Sequence, residues 1–136
     1  MKKIIVFISL LFLYFSQLTY AEGKTMRCGD TDKSLPWNYD KITFDVSSKD
    51  AEVQNRVIYE DSESKEILDG SKWKDDRTYT AKLQAFPTTL RFTYDSMPGF
   101  SSVKLEVSRQ DLSYTRQSIR TRTGEDFGAP RSGVCE

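Results

Sequence analysis

The sequence predicts an all-β fold: a small antiparallel β-barrel or β-sandwich of about 7–8 short strands, closed by one disulfide. Three observations lead there. Apolar and polar residues alternate with a period of two, again and again, from Lys41 onward. No segment carries apolar residues at i, i+3, i+4 and i+7 over three turns, so no amphipathic helix is expected. Two cysteines, Cys28 and Cys135, stand at the two ends of the alternating region.

The elements follow in chain order. Lys2 and Lys3 precede an apolar run from Ile4 to Phe15, and Thr19-Tyr20-Ala21 supplies small residues at a cleavage site before Glu22. This three-part pattern is that of a secretory signal peptide over residues 1–21. The apolar run is shorter than the roughly 20 residues that span a bilayer. The expected products are therefore a signal peptide, 1–21, and a single all-β domain, 22–136, with no stable membrane insertion after cleavage. Localisation is expected to be exported, either periplasmic or extracellular. Removing Lys2 and Lys3 from 20 basic and 20 acidic residues leaves a domain of net charge −2.

An even cysteine count in an exported chain points to a disulfide, and Cys28–Cys135 is the one pairing available. Nothing favours a reactive thiol, since there is no C-x-x-C and no histidine to activate one.

Strands are expected where Ile42, Phe44 and Val46 alternate with Thr43 and Asp45, and where Val53, Asn55, Val57 and Tyr59 share a face. Ile67-Leu68 and Lys72-Trp73 flank Asp69-Gly70, a dipeptide that reads as a two-residue hairpin turn. The acidic stretch Glu60–Glu66 reads as a solvated hairpin loop. Further strands run through Tyr79–Leu83, Leu90–Tyr94, Val103–Val107 and from Leu112 toward Ile119. Met97-Pro98-Gly99 has the Pro-Gly order of a type II turn, and Arg109-Gln110-Asp111 is a second turn. Arg120–Glu136, polar and with three glycines, reads as a strand end followed by a loop pinned by Cys135.

Composition excludes several functions. With no histidine there is no Ser-His-Asp triad, no Cys-His nucleophile and no His-based zinc site. Balanced charge argues against nucleic-acid binding, which needs a basic excess. No P-loop, dinucleotide fingerprint or G-x-S-x-G occurs. The acidic pairs Asp30-Thr31-Asp32 and Asp75-Asp76 lack a calcium-loop signature and read as turn formers. No metal and no cofactor is expected.

Two residue sets are candidates for binding. Arg116, Arg120 and Arg122 share strand parity, and a row of guanidinium groups binds anions through bidentate hydrogen bonds. The competing reading is an exposed face whose charge discourages aggregation. Among the aromatics, Trp37, Trp73 and Phe100 are candidates for a ligand rim, with Trp37 and Phe100 expected at exposed loop–strand junctions.

The C-terminal residues Ser118-Ile119-Arg120-Thr121-Arg122-Thr123-Gly124-Glu125, followed by Gly133-Val134-Cys135, resemble the ending of a group of small exported bacterial β-proteins. Those proteins close with an apolar-x-R-x-T-G strand and a terminal G-x-C. Lys41–Val53 is similar to their opening strand and turn. The resemblance implies an exported β domain with cysteines at both ends. It implies no activity, because the group is uncharacterised. Periplasmic lysozyme inhibitors are small barrels with similarly placed cysteines, but their S-G-x-x-Y loop is not matched by Ser132-Gly133-Val134-Cys135.

The functional expectation is a non-catalytic binding or envelope-accessory protein whose partner is an unidentified protein or envelope component. The alternatives are a carboxylate-dependent hydrolase and a lysozyme-inhibitor-like protein. A ligand pocket predicts a cavity with Trp37 or Trp73 at its mouth. A hydrolase predicts two carboxylates converging in one cleft.

Overall fold

Period-two alternation sends successive side chains to opposite faces of a strand, so one face of each segment can be buried while the other stays wet. The computed structural model describes residues 23–71 and 77–136. The signal segment 1–21, the Lys72-Trp73 arm of the expected hairpin, and Asp75-Asp76 lie outside the described residues.

Nine antiparallel strands are described: β1 (Lys24–Gly29), β2 (Trp37–Phe44), β3 (Asp50–Glu60), β4 (Ile67–Ser71), β5 (Thr78–Ala85), β6 (Thr89–Met97), β7 (Ser101–Ser108), β8 (Ser113–Arg120) and β9 (Arg131–Cys135). Eight of them close on themselves in the order β1-β2-β3-β5-β6-β7-β8-β9, with β9 pairing back to β1. The fold is thus a barrel rather than a sandwich. Strand β4 is the extra one. Its partner β3 is long enough to serve two neighbours on one edge: Asp50–Gln54 pair with β5, and Arg56–Glu60 pair with β4.

Inside the barrel, Ile42, Val53, Phe92, Val103, Leu105 and Val107 are fully buried. Phe44 meets Phe92 edge to face at 5.4 Å between ring centres. Each such side chain stabilises the fold by about 1.5–3 kcal/mol relative to exposure. Cys28 and Cys135 sit opposite each other in the β1–β9 ladder and form the expected disulfide, 107 residues apart in sequence. The bond therefore lies at the seam where the first and last strands complete the barrel.

The turns follow local chemistry. Asp45, Asp61 and Asp111 each accept hydrogen bonds from both the backbone and the hydroxyl of a nearby serine: Ser47, Ser64 and Ser113. Met97–Phe100 form the type II turn, with Gly99 at φ +76° and Phe100 N donating to Met97 O.

Two expectations about elements need correction. Asp69-Gly70 is not a turn; it lies within β4, with Asp69 opposite Ile58 and Gly70 opposite Val57. The reversal occurs instead at 61–66, where Asp61 N donates to Glu66 O and Lys65 takes φ +61°. Asp69 stays extended because its carboxylate is engaged by Tyr39 and Arg56 across the sheet. The tail is not simply a loop: Arg131–Cys135 form β9, held between β8 and β1.

Candidate functional site

Along each strand the inward-facing row changes character at one end of the barrel. On β2 it runs Phe44, Ile42, then Asp40 and Asn38. On β3 it runs Ala51, Val53, then Asn55. On β5 it runs Leu83, Ala81, then Tyr79; on β6, Leu90, Phe92, then Tyr94 and Ser96; on β8, Tyr114, then Arg116. The polar residues come first on some strands and last on their neighbours, as antiparallel pairing requires if they are to meet at one end. They enclose a cavity of about 720 Å³, so the barrel is filled by apolar side chains at one end and forms a polar cup at the other.

The cup is built around one buried carboxylate. Asp40 is 3% exposed. Arg116 Nη1 donates to both of its oxygens, at 2.7 and 2.8 Å, and Tyr114 Oη donates to Oδ2 at 2.8 Å. Asn55 Nδ2 donates to Oδ1 from the adjacent strand, where Asn55 pairs directly with Asp40. Every acceptor position of Asp40 is thus in use.

These contacts set the proton affinities around them. Burial, then the charge and hydrogen bond of Asp40, pushes the Tyr114 phenol far above its ordinary value. Burial opposes the charge on Arg116, but Asp40, Tyr94 and Tyr114 together outweigh it, so its pKa rises further. Burial pushes Tyr94 up to about 12. Among the described residues the Tyr94 hydroxyl, buried in the cup wall, has no hydrogen-bond partner in line with it, although Arg116 and Asn55 are close by. Tyr94 stacks on Tyr79, with ring centres 4.7 Å apart.

The arginine row does not form as expected. Arg116 points inward and belongs to the cup. Arg120 is the last residue of β8 and lies 5.2 Å from the centre of the Phe127 ring. Arg122 lies beyond the strand, exposed in the turn that follows, so shared parity no longer puts it on the same face.

The rim expectation also needs revision. Trp37 is 3% exposed and does not line the cavity. It packs over Gly29, where an added Cβ would come within 2.9 Å of its ring, and its Nε1 donates to Asp30 O. It stacks on Tyr39 at 5.0 Å, and Arg27 and Lys33 lie over the pair. Those two cations also hold the side chain of Glu136, so Trp37 belongs to a clamp on the chain's end. Phe100 is exposed, as expected, against Phe127, but it too lies outside the cavity lining. Trp73 lies outside the described residues.

Reading the residues one at a time missed Asn38, Asp40, Asn55, Tyr94 and Arg131 as a group. The signal that finds them is the coordinated switch from apolar to polar in the inward rows.

Fold and site together define an eight-stranded antiparallel barrel with a polar cup at one end. No protein-family model matches the chain, and no curated protein or solved structure is detectably similar to it.

Proposed function

We propose that this protein is an exported, non-catalytic binding module that holds a small molecule in the cup of its barrel. The observation that carries this reading is the cavity itself. At about 720 Å³ it falls within the range of small-molecule sites, and it is lined by aromatic and hydrogen-bonding side chains. A barrel of this size has no structural need to leave one end of its interior polar and unfilled, because apolar side chains fill the other end.

Binding is favoured over hydrolysis by the state of Asp40. A general acid or base must exchange a proton with substrate, and Asp40 has its acceptor positions filled by Arg116, Tyr114 and Asn55. Export is supported by the signal-like segment 1–21 and by the Cys28–Cys135 disulfide, which persists in oxidising compartments.

Native mass spectrometry of the protein purified without denaturation from its own source tests the binding reading. A ligand mass that departs on unfolding is expected, and a bare chain mass in every preparation overturns it. N-terminal sequencing of the same material is expected to begin at Glu22. A chain retaining residues 1–21 removes the export reading.

A further inference from the structure

Charge in the cup is unevenly distributed. Among the described residues, Arg56, Arg77, Arg116 and Arg131 line it, against Asp30 and Asp40. The chain as a whole carries equal numbers of basic and acidic residues, so this is a local concentration of positive charge. The two acids do not cancel it in the same way. Asp40 is saturated by donors from the protein and offers nothing to a ligand. Asp30 is exposed.

The arginines also differ. Arg56 is held by Asp69, through Nε at 3.0 Å. Arg77 and Arg131 are exposed. Arg116 is the pre-organised one. Asp40 grips it through Nη1 alone, while a fifth of its side chain remains exposed. A guanidinium is a planar fork, and fixing one nitrogen fixes the direction of the others. The remaining Nε–Nη2 edge has the spacing that meets two oxygens of one oxyanion.

We propose that the cup takes a small organic oxyanion, a ring-sized body bearing a carboxylate, phosphate or sulfate. Its charged oxygens meet the Nε–Nη2 edge of Arg116, which Asp40 leaves untaken, beside the Tyr94 hydroxyl, with Arg77 and Arg131 drawing it in. The inference rests on the binding reading above and names the ligand class for that site. The cavity is much larger than an inorganic ion needs, and the stacked Tyr79–Tyr94 pair offers aromatic surface to the body of the ligand. Among the described residues, a cationic ligand finds Asp30 alone as an open charged acceptor. Low-dielectric walls around several like charges focus the field into the cleft and favour an anion.

Benzoate, benzamide and benzamidine have nearly one shape and differ in charge, so they form the test, with phenyl phosphate, phenyl sulfate and inorganic phosphate beside them. Each is titrated calorimetrically into the purified, disulfide-bonded protein at low salt, and the Arg116 Nε–H and tyrosine NMR signals are followed. At least one of the three organic oxyanions is expected to bind about tenfold or more tighter than benzamide, since a charge-assisted pair is worth at least that factor. Its binding moves the Arg116 Nε–H signal and weakens severalfold in Arg131→Gln, an exposed change that leaves the Asp40–Arg116 pair intact. The ranking of the three identifies the head group.

Benzamide or benzamidine binding as tightly as the best oxyanion overturns the anion assignment but leaves the binding reading standing. So does inorganic phosphate matching phenyl phosphate, and so does anion binding that leaves Arg116 Nε–H unmoved. A panel in which no member shifts any cavity tyrosine overturns the oxyanion assignment, and the binding reading then stands or falls on the native mass measurement.

Discussion

At the scale of single residues the cup turns on how Asp40 is satisfied. A buried carboxylate is tolerated when its charge and lone pairs are met, and removing one partner leaves the other charge stranded. Asp40→Ala is therefore expected to cost about 3–5 kcal/mol, since it leaves Arg116 half-buried without a counter-charge. Replacing both, Asp40→Leu with Arg116→Met, is expected to recover most of that loss, because neither charge then needs a partner. Urea unfolding of the three variants measures it, and a double variant no better than Asp40→Ala refutes it. The two buried tyrosines beside the pair give opposite expectations. Tyr114 donates to Asp40, so Tyr114→Phe removes a charge-assisted bond and costs about 1.5–3 kcal/mol. Tyr94 has an unpaired buried hydroxyl, so Tyr94→Phe is expected to stabilise the unliganded protein by about 1 kcal/mol. Equal effects from the two changes would falsify this account of the cup wall.

At the scale of elements, glycine shows why some strands were legible in the sequence and others were not. β2, β3, β5, β6, β7 and β8 announce themselves by alternation, because each has one buried and one wet face. β1 and β9 do not, since Arg131-Ser132-Gly133-Val134-Cys135 has no period. That segment is a strand because the barrel needs an eighth member and the disulfide holds it there. Gly133 is required by close approach: an added Cβ would stand 1.9 Å from Gly29 O, across the β1–β9 seam. Gly70, misread as a turn residue, is ordinary by comparison, with an added Cβ 3.5 Å from the Tyr59 ring. Gly133→Ala is therefore expected to cost about 3 kcal/mol or more, by prising apart the seam. Gly70→Ala is expected to be neutral or mildly stabilising, because alanine limits the unfolded chain. Thermal melts of the two variants check this, and a Gly133→Ala protein as stable as its parent would remove the packing argument. The cup was partly legible for a related reason. Alternation located the inward rows, but recognising that their polar ends coincide requires the strand order, which pairing reveals and sequence does not. Parity grouped Arg116 with Arg120 and Arg122, but it could not say which face turns inward or where β8 ends, and so it misassigned Arg122.

For the molecule as a whole, the half-polar interior ties stability to alkaline pH. Burial pushes Tyr94 up to about 12, and burial with the Asp40 charge raises Tyr114 further. In the unfolded chain both phenols ionise near pH 10. The folded state thus holds these two protons more tightly than the unfolded state. The stability linked to them is fully present below about pH 10 and is lost as pH rises through about 12. For Tyr94 alone, two pK units correspond to about 3 kcal/mol by the end of that window. Urea midpoints are therefore expected to change little from neutrality to about pH 10 and then fall steeply. Phenolate absorbance is expected to show a late-titrating fraction that vanishes in urea. Tyr94→Phe shrinks the fall without abolishing it, and Tyr114→Phe removes the part due to the hydroxyl on Asp40. The reason is architectural rather than local. An apolar floor and the surrounding wall bury both hydroxyls beside the Asp40 carboxylate, and for each phenolate the loss of water outweighs the attraction of Arg116. A cup open enough to hydrate those phenols would let them ionise at the same pH folded or unfolded, and the fall linked to Tyr94 between about pH 10 and about 12 would then vanish.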